Sequence, residues 1–314
     1  MLTRRLVRIK SLQALYSIKQ NDEKSVNLAQ KMFEKNYSNL QNAYYFTIQF
    51  IQALDSYLLS EIDLESSKYY PDKEKIRTFS AFKNNVFLPI IDSTDTLSKR
   101  TAQFSADWSQ EGDEIISIYN DLKQQDFYTD YLVFEKPNFE LSKQFVIDIL
   151  TFCKKLESFN SALFSAFMTW EDDKKQAFNQ VMETLKATQE GAEALNLYEI
   201  ETEEHFEVKY GKDLIAKVLI NEAELIGLLE KHTKNWDVER IAQTDQLIIL
   251  LAIAEFLYFE DIPLKVTINE YLEVSKHFST PQSSKFVNGI LDSVKAQLLK
   301  EDKISKSAKG LREQ

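Results

Sequence analysis

Residues Asn235–Asp292 read NWDVERIAQTDQLIILLAIAEFLYFEDIPLKVTINEYLEVSKHFSTPQSSKFVNGILD, and the punctuation of this stretch decides the fold. Leu247–Ala254 is the longest unbroken apolar run of the chain, far short of a membrane span. Asp261-Ile262-Pro263 makes a tight corner, because proline cannot continue the element before it. Thr280 suits an N-cap and Pro281 the first helical turn, so another helix begins there. The pattern predicts helices over about 237–259, 265–278 and 281–299. Trp236, Ile241, Ile253 and Leu257 belong to the core, and Asp237 caps the first of these helices. Just upstream, residues 213–231 form an amphipathic pattern with Leu214, Val218, Leu225, Leu228 and Leu229 facing inward.

The rest of the chain carries the same signature. Only 6 of 314 residues are Gly and 5 are Pro, with 44% hydrophobic, which favours a globular all-α protein over a turn-rich β fold. Residues 3–19 predict a helix with Leu2, Leu6, Ile9, Leu12 and Tyr16 on one side and Val7, Ala14 and Ile18 on another. Arg4, Arg5, Arg8 and Lys19 lie between these strips as a narrow basic stripe. Polar breaks at 21–23, 70–75, 135–138 and 189–192 divide the middle, and FLPIIDS (87–93) is ambiguous between helix and extended chain. The run around Trp170 echoes that around Trp236, with Phe159 matching Leu225 and Leu163 matching Leu229. Chance amphipathic similarity accounts for this echo about as well as duplication does.

The net charge of −11 argues against nucleic acid, but its distribution matters more. Residues 1–10 carry four cations and no acid, and residues 295–314 carry six basic and three acidic side chains, so a local anion-binding patch is available. The single Cys153 excludes an internal disulfide, fits a reducing compartment and reads as a small core residue. No apolar run follows the first basic residues, so the expectation is a cytoplasmic protein without a membrane segment. Gly211-Lys212-Asp213 lacks the earlier glycine and the Ser/Thr of a phosphate loop. His205, His232 and His277 stand singly, without zinc-ligand spacing. The acid pairs Asp172-Asp173 and Glu203-Glu204 read as solvated faces. A binding protein is expected, with no catalytic residue, metal or cofactor.

Four strings, NWDVERIA (235–242), EFLY (255–258), DIPLKVTINEY (261–271) and SKFVNGILD (284–292), together resemble the NusB transcription antitermination family. The run R-R-x-x-R-I-K-S-L-Q-A-L-Y at 4–16 is similar to the first helix of that family, and the C-terminal resemblance covers about 206–296. Residues 21–200 look like the long insertion of its larger form. The resemblance implies an all-α bundle of about seven helices with an additional helical insertion. Residues 1–20 would be its RNA-facing first helix, 21–200 a helical insertion of unknown role, 201–300 the C-terminal helical domain and 301–314 a basic flexible tail. It further implies pairing with the ribosomal protein NusE, binding of boxA RNA, and contact with the RNA polymerase elongation complex through NusE. Termination in ribosomal RNA operons would then be suppressed. Two rival readings are a structural protein-interaction module and an rRNA-targeting domain acting with a separate modifying enzyme.

Arg4, Arg5 and Arg8 offer planar, permanently charged forks to phosphate, and cations at a helix N-terminus oppose the macrodipole, which points to an external anion. Tyr16 can stack on an unpaired base or pack in the core. Lys285 and Phe286, near the start of the last helix, are RNA contacts by the resemblance, although Phe286 also suits a core; Asn288-Gly289 suits close helix packing. Glu255 interrupts an apolar helix, so its carboxylate must reach solvent or a partner; the resemblance assigns it to the NusE-facing surface. Gln246 and Leu250 stand where many family members are basic, and Gln282 where many are acidic, which alters the finer partner and RNA contacts.

Overall fold

The computed structural model describes residues 4–21, 24–104, 107–198, 206–233 and 241–307. These residues form fifteen α-helices and two short 3-10 turns, with no strand among them. In chain order the helices are α1 (Arg4–Gln20), α2 (Val26–Ser66), α3 (Lys73–Phe79), α4 (Leu88–Asp92), α5 (Asp95–Thr101), α6 (Gly112–Leu122), α7 (Asp126–Tyr131) and α8 (Phe139–Cys153). They continue with α9 (Glu157–Ala166), α10 (Trp170–Ala187), α11 (Phe206–Ile220), α12 (Glu222–His232), α13 (Gln243–Tyr258), α14 (Leu264–Phe278) and α15 (Pro281–Lys300). The chain divides into two compact units, 1–37 with 201–314, and 38–200. Residues 24–37 therefore group with the first unit and not with the insertion expected to start at 21.

In the first unit α13 is the hub. Every residue from Leu247 to Phe256 is buried. A helix apolar all round needs neighbours on every side, and α1, α11, α12, α14 and α15 all pack against it. Gly211 on α11 lets its neighbours close in, since a Cβ there would collide with the Phe33 ring and lie 2.9 Å from Val7 Cγ1. Thr280 caps α15, its side chain accepting from the Ser283 N–H at 3.2 Å.

The pattern expected over 213–231 is two helices, broken at Asn221, whose side-chain amide turns back to donate to the Lys217 carbonyl at 2.8 Å. All five of its predicted core positions are buried. The helix expected from 237 is described from Gln243, after an extended Ala242 with ψ 132°; Trp236 and Asp237 lie outside the described residues. Ile253 is buried, whereas Ile241 and Leu257 are only partly so. FLPIIDS contains the short helix α4. Gly289 is exposed with open space where a Cβ would go, so it serves no close helix packing.

The expected flexible tail is docked as far as Ser307. Lys306 Nζ donates to the carbonyls of Phe259 at 2.7 Å and Glu255 at 3.4 Å, and the Ser307 N–H donates to Glu260 O at 3.1 Å. A cation thus meets the C-terminal carbonyls of α13, where the helix dipole favours it, although burial pushes the amine down to about 8.

The second unit has an aromatic core. Trp108 donates to the Phe46 carbonyl at 2.8 Å and stacks on the Phe46 ring at 4.7 Å. Cys153 is buried in α8, and burial pushes its thiol up. This unit also holds the net charge of the chain. Residues 38–200 carry 26 acidic and 15 basic side chains, whereas the first unit carries 23 of each. Among the described residues no helix is long and apolar enough to cross a membrane.

The close approach at Gly211 sets a testable expectation. Gly211→Ala should lower stability by about 1–3 kcal/mol, seen as a lower urea midpoint at an unchanged m-value. Gly112→Ala, with nothing within 4 Å of the new methyl, should not lower it.

Candidate nucleic-acid interface and the ion pair behind it

The side chains of α1 go to different environments, and burial separates them. Arg8 and Glu255 are both buried, with side-chain exposures of 1% and 0%. Arg8 grips the carboxylate with two parallel bonds, Nε to Oε2 at 2.9 Å and Nη2 to Oε1 at 2.7 Å. Thr267 donates to Oε1 at 2.7 Å, Tyr271 to Oε2 at 3.3 Å, and the Tyr210 hydroxyl also donates to Oε2. Five donors from four side chains saturate one carboxylate, the arrangement a buried charge requires. The Arg8 guanidinium also lies 5.8 Å from the Tyr210 ring centroid and 5.6 Å from that of Tyr271.

These contacts fix the protonation states. Burial pushes the Glu255 carboxyl up, but the Arg8 charge and the hydrogen bonds outweigh it and hold the group below its usual range. Burial, then the Glu255 charge, pushes the Tyr210 and Tyr271 phenols well above theirs, so both remain donors.

The expectations for Arg8 and Glu255 therefore need correction. Arg8 is enclosed in the core and has no surface to offer phosphate, and Glu255 finds its partner inside the chain and not on a second protein. Sequence reasoning offered Glu255 only solvent or a partner surface; the missed residues are Tyr210, Thr267, Glu270 and Tyr271.

The neighbouring arginines are less enclosed. Arg5, with 44% side-chain exposure, binds Glu270 through Nε at 2.9 Å and Nη2 at 2.8 Å, and Glu270 also lies 3.7 Å from Arg8. Arg4 sits 5.3 Å over the Phe206 ring, on the wall of a cavity of about 340 Å³. Lys19 pairs with Glu222 at 2.7 Å. The basic stripe is largely matched from within.

Tyr16 is different. It is 39% exposed and lines a mostly apolar cavity of about 270 Å³ with Leu12, Gln13, Thr244 and Phe278. Phe278 ends α14, and Thr280 begins the turn into α15, whose N-terminal N–H groups favour anions. Lys285 is exposed on the second turn of α15, with Phe286 half-buried and Val287 buried beside it. Gln282 is exposed, Gln246 half-buried and Leu250 fully buried. Among the described residues no group of three His, Cys, Asp or Glu side chains is placed to hold a metal.

A hub helix enclosed by five others defines an all-helical module, and the exposed Tyr16 shares a cavity with Phe278 at the end of α14. The NusB family model matches residues 161–296. The transcription antitermination protein NusB of Salinibacter ruber is 33% identical over 144 residues, covering 44% of this chain and 90% of that protein. Those of Chloroherpeton thalassium and Natranaerobius thermophilus are 42% and 40% identical over 98 and 92 residues. Here the match covers 31% and 29% of this chain and 46% and 66% of the relatives. The chain belongs to the NusB family.

Removing one member of the buried pair should be costly. Arg8→Ala is expected to lose about 3–5 kcal/mol, because it leaves a buried carboxylate without its charge partner. Glu255 also sets a pH dependence. Its pKa is lower folded than unfolded, so its contribution is complete above the ordinary carboxylate value and is lost as pH falls from there through the folded value. Glu255→Gln should flatten that acid limb of the stability–pH curve, measured by urea unfolding; an unchanged limb would show that the pair does not control it.

Proposed function

We propose that this chain is a transcription antitermination factor that binds boxA RNA together with NusE. Through NusE it would join the RNA polymerase elongation complex and suppress termination in ribosomal RNA operons. Family membership supports the general role, and the three relatives carry it in their names. The observation that carries the RNA reading is Tyr16, half out of the core on a cavity wall shared with Phe278, which precedes the Thr280 cap of α15 by two residues. Unpaired RNA bases stack on such side chains, and helix N-termini with a nearby lysine take the adjoining phosphate.

The RNA face proposed here comprises Tyr16, Lys285 and Phe286, with Arg4 and Arg5 at its rim. Arg8 supports it from behind by holding α1 on α13. Arg5 is available to phosphate only in competition with Glu270, so it contributes less than a free arginine would. NusE meets a surface that excludes Glu255.

The test is fluorescence anisotropy of a labelled boxA RNA, with and without NusE, over a salt series. Tyr16→Ala should weaken binding about 5- to 100-fold, the range expected for about 1–3 kcal/mol per stacked base. Lys285→Ala should reduce the slope of log K against log salt by about 0.7. If the wild-type chain with NusE binds boxA no more tightly than a scrambled RNA of equal length, the assignment is wrong. Equal binding by wild type and Tyr16→Ala would remove the stacking role.

A further inference from the structure

Helices α6 and α9 pack together in the second unit. Asp113, Glu114 and Asp121 on α6 and Glu157 on α9 line a cavity of about 440 Å³ between them, with Ser117 and Ser161. None of these four carboxylates has an ion-pair partner among the described residues. Five other acids of the same unit are matched within their own helices or turns, in Glu65–Lys68, Glu74–Arg77, Asp95–Lys99, Glu140–Lys143 and Glu171–Lys174.

Large apolar side chains of these two helices also stand in solvent. Ile116 on α6 is 42% exposed, Phe164 on α9 is 49% exposed, and Met168, just beyond α9, is 83% exposed. The spacing of 157, 161 and 164 puts Phe164 on the strip that carries Glu157 and Ser161. On its other flank, toward which Ile116 turns, α6 borders a second groove, of about 480 Å³, against Gln49, Gln52 and Tyr57 of α2. Gln49 has a buried side-chain oxygen there without a hydrogen-bond partner. Exposed apolar side chains gathered beside a groove mark a binding surface more often than chance solvent exposure does.

We propose that the α6–α9 face docks a basic, partly apolar segment of a partner protein. Its lysine or arginine side chains enter the acidic groove, and its apolar side chains cover Ile116, Phe164 and Met168. Charge identifies the occupant. The groove is lined by four carboxylates and by no cation, so RNA phosphates are repelled, and so is the same face of a second copy. A cationic segment meets four carboxylates that have no other counter-ion, while the apolar side chains supply the desolvated contact that charge alone lacks. This surface is independent of the RNA face of the first unit.

The experiment uses the full chain and a short helix-forming lysine/leucine peptide, with a glutamate/leucine peptide and a short single-stranded RNA as comparison probes. Calorimetry should show binding of the lysine/leucine peptide alone. The Asp113→Lys/Glu114→Lys/Glu157→Lys variant should lose affinity about tenfold or more, and Ile116→Ser/Phe164→Ser about fivefold. Reversing three matched acids instead, Asp95→Lys/Glu140→Lys/Glu171→Lys, should change it less than about twofold. Circular dichroism checks that each variant folds. Because Cys153 is buried, Ser161→Cys can be alkylated selectively; the peptide should slow that reaction and leave an exposed Ser98→Cys unaffected. Equal losses in the two triple variants, no protection of Ser161→Cys, or preferential binding of RNA would each overturn the proposal.

Discussion

The first unit depends on one buried ion pair whose members are 247 positions apart in sequence. Neither Arg8 nor Glu255 can be buried alone, since an unpaired charge in the interior costs several kcal/mol. Each therefore requires the other, and together they place α1 on α13. Tyr210 from α11 and Thr267 and Tyr271 from α14 complete the carboxylate, so one polar centre orients four helices. Well-packed apolar residues would contribute comparable stability, but apolar contacts slide more readily than a bidentate fork aimed at a fixed carboxylate. The pair thus bears on register more than on net stability.

This arrangement also explains how the first unit closes around residues 38–200. Those residues lie between α1 and α13 in sequence, yet the pair closes the first unit across them. Loop-closure entropy rises only with the logarithm of length, and each doubling adds about 0.6 kcal/mol. A long inserted unit with its own core therefore costs the surrounding fold little, provided that the contacts joining the two flanks are specific. The Arg8–Glu255 fork and the Phe33–Gly211–Val7 contact supply that specificity.

The all-α architecture was legible because its signals are local: few Gly and Pro, the corner at Pro263 and the Thr280–Pro281 start each act over a few residues. The polar centre was not, because its partners are distant in sequence. Glu255 stood out as a lone acid in an apolar helix and Arg8 as a cation on a helix apolar on two sides, but nothing local joins them. One clue did link the two questions. Within the TINEY run that carried much of the family resemblance, Thr267, Glu270 and Tyr271 recur at i, i+3 and i+4, one face of α14. All three touch the arginines of α1 or the carboxylate of Glu255. Part of what reads as a functional signature is a core constraint, which is why the family was recognisable while individual contact residues were misassigned.

Net charge says little about any one face for a related physical reason. Its −11 belongs to residues 38–200, and the first unit is neutral. At physiological ionic strength charges are screened over about 8 Å, so the local balance at each face governs attraction, not the total. By the same standard the arginines of α1 are weaker anion sites than their number suggests, because Glu255 and Glu270 neutralise two of them. In a neutral unit whose α1 arginines are largely matched, the RNA recognition proposed above would rest on stacking and helix-terminal N–H groups more than on bulk charge. A groove lined by four carboxylates, with Phe164 exposed on the same strip as Glu157, is suited to the opposite class of partner. The two faces can therefore work in one chain without competing for the same ligand.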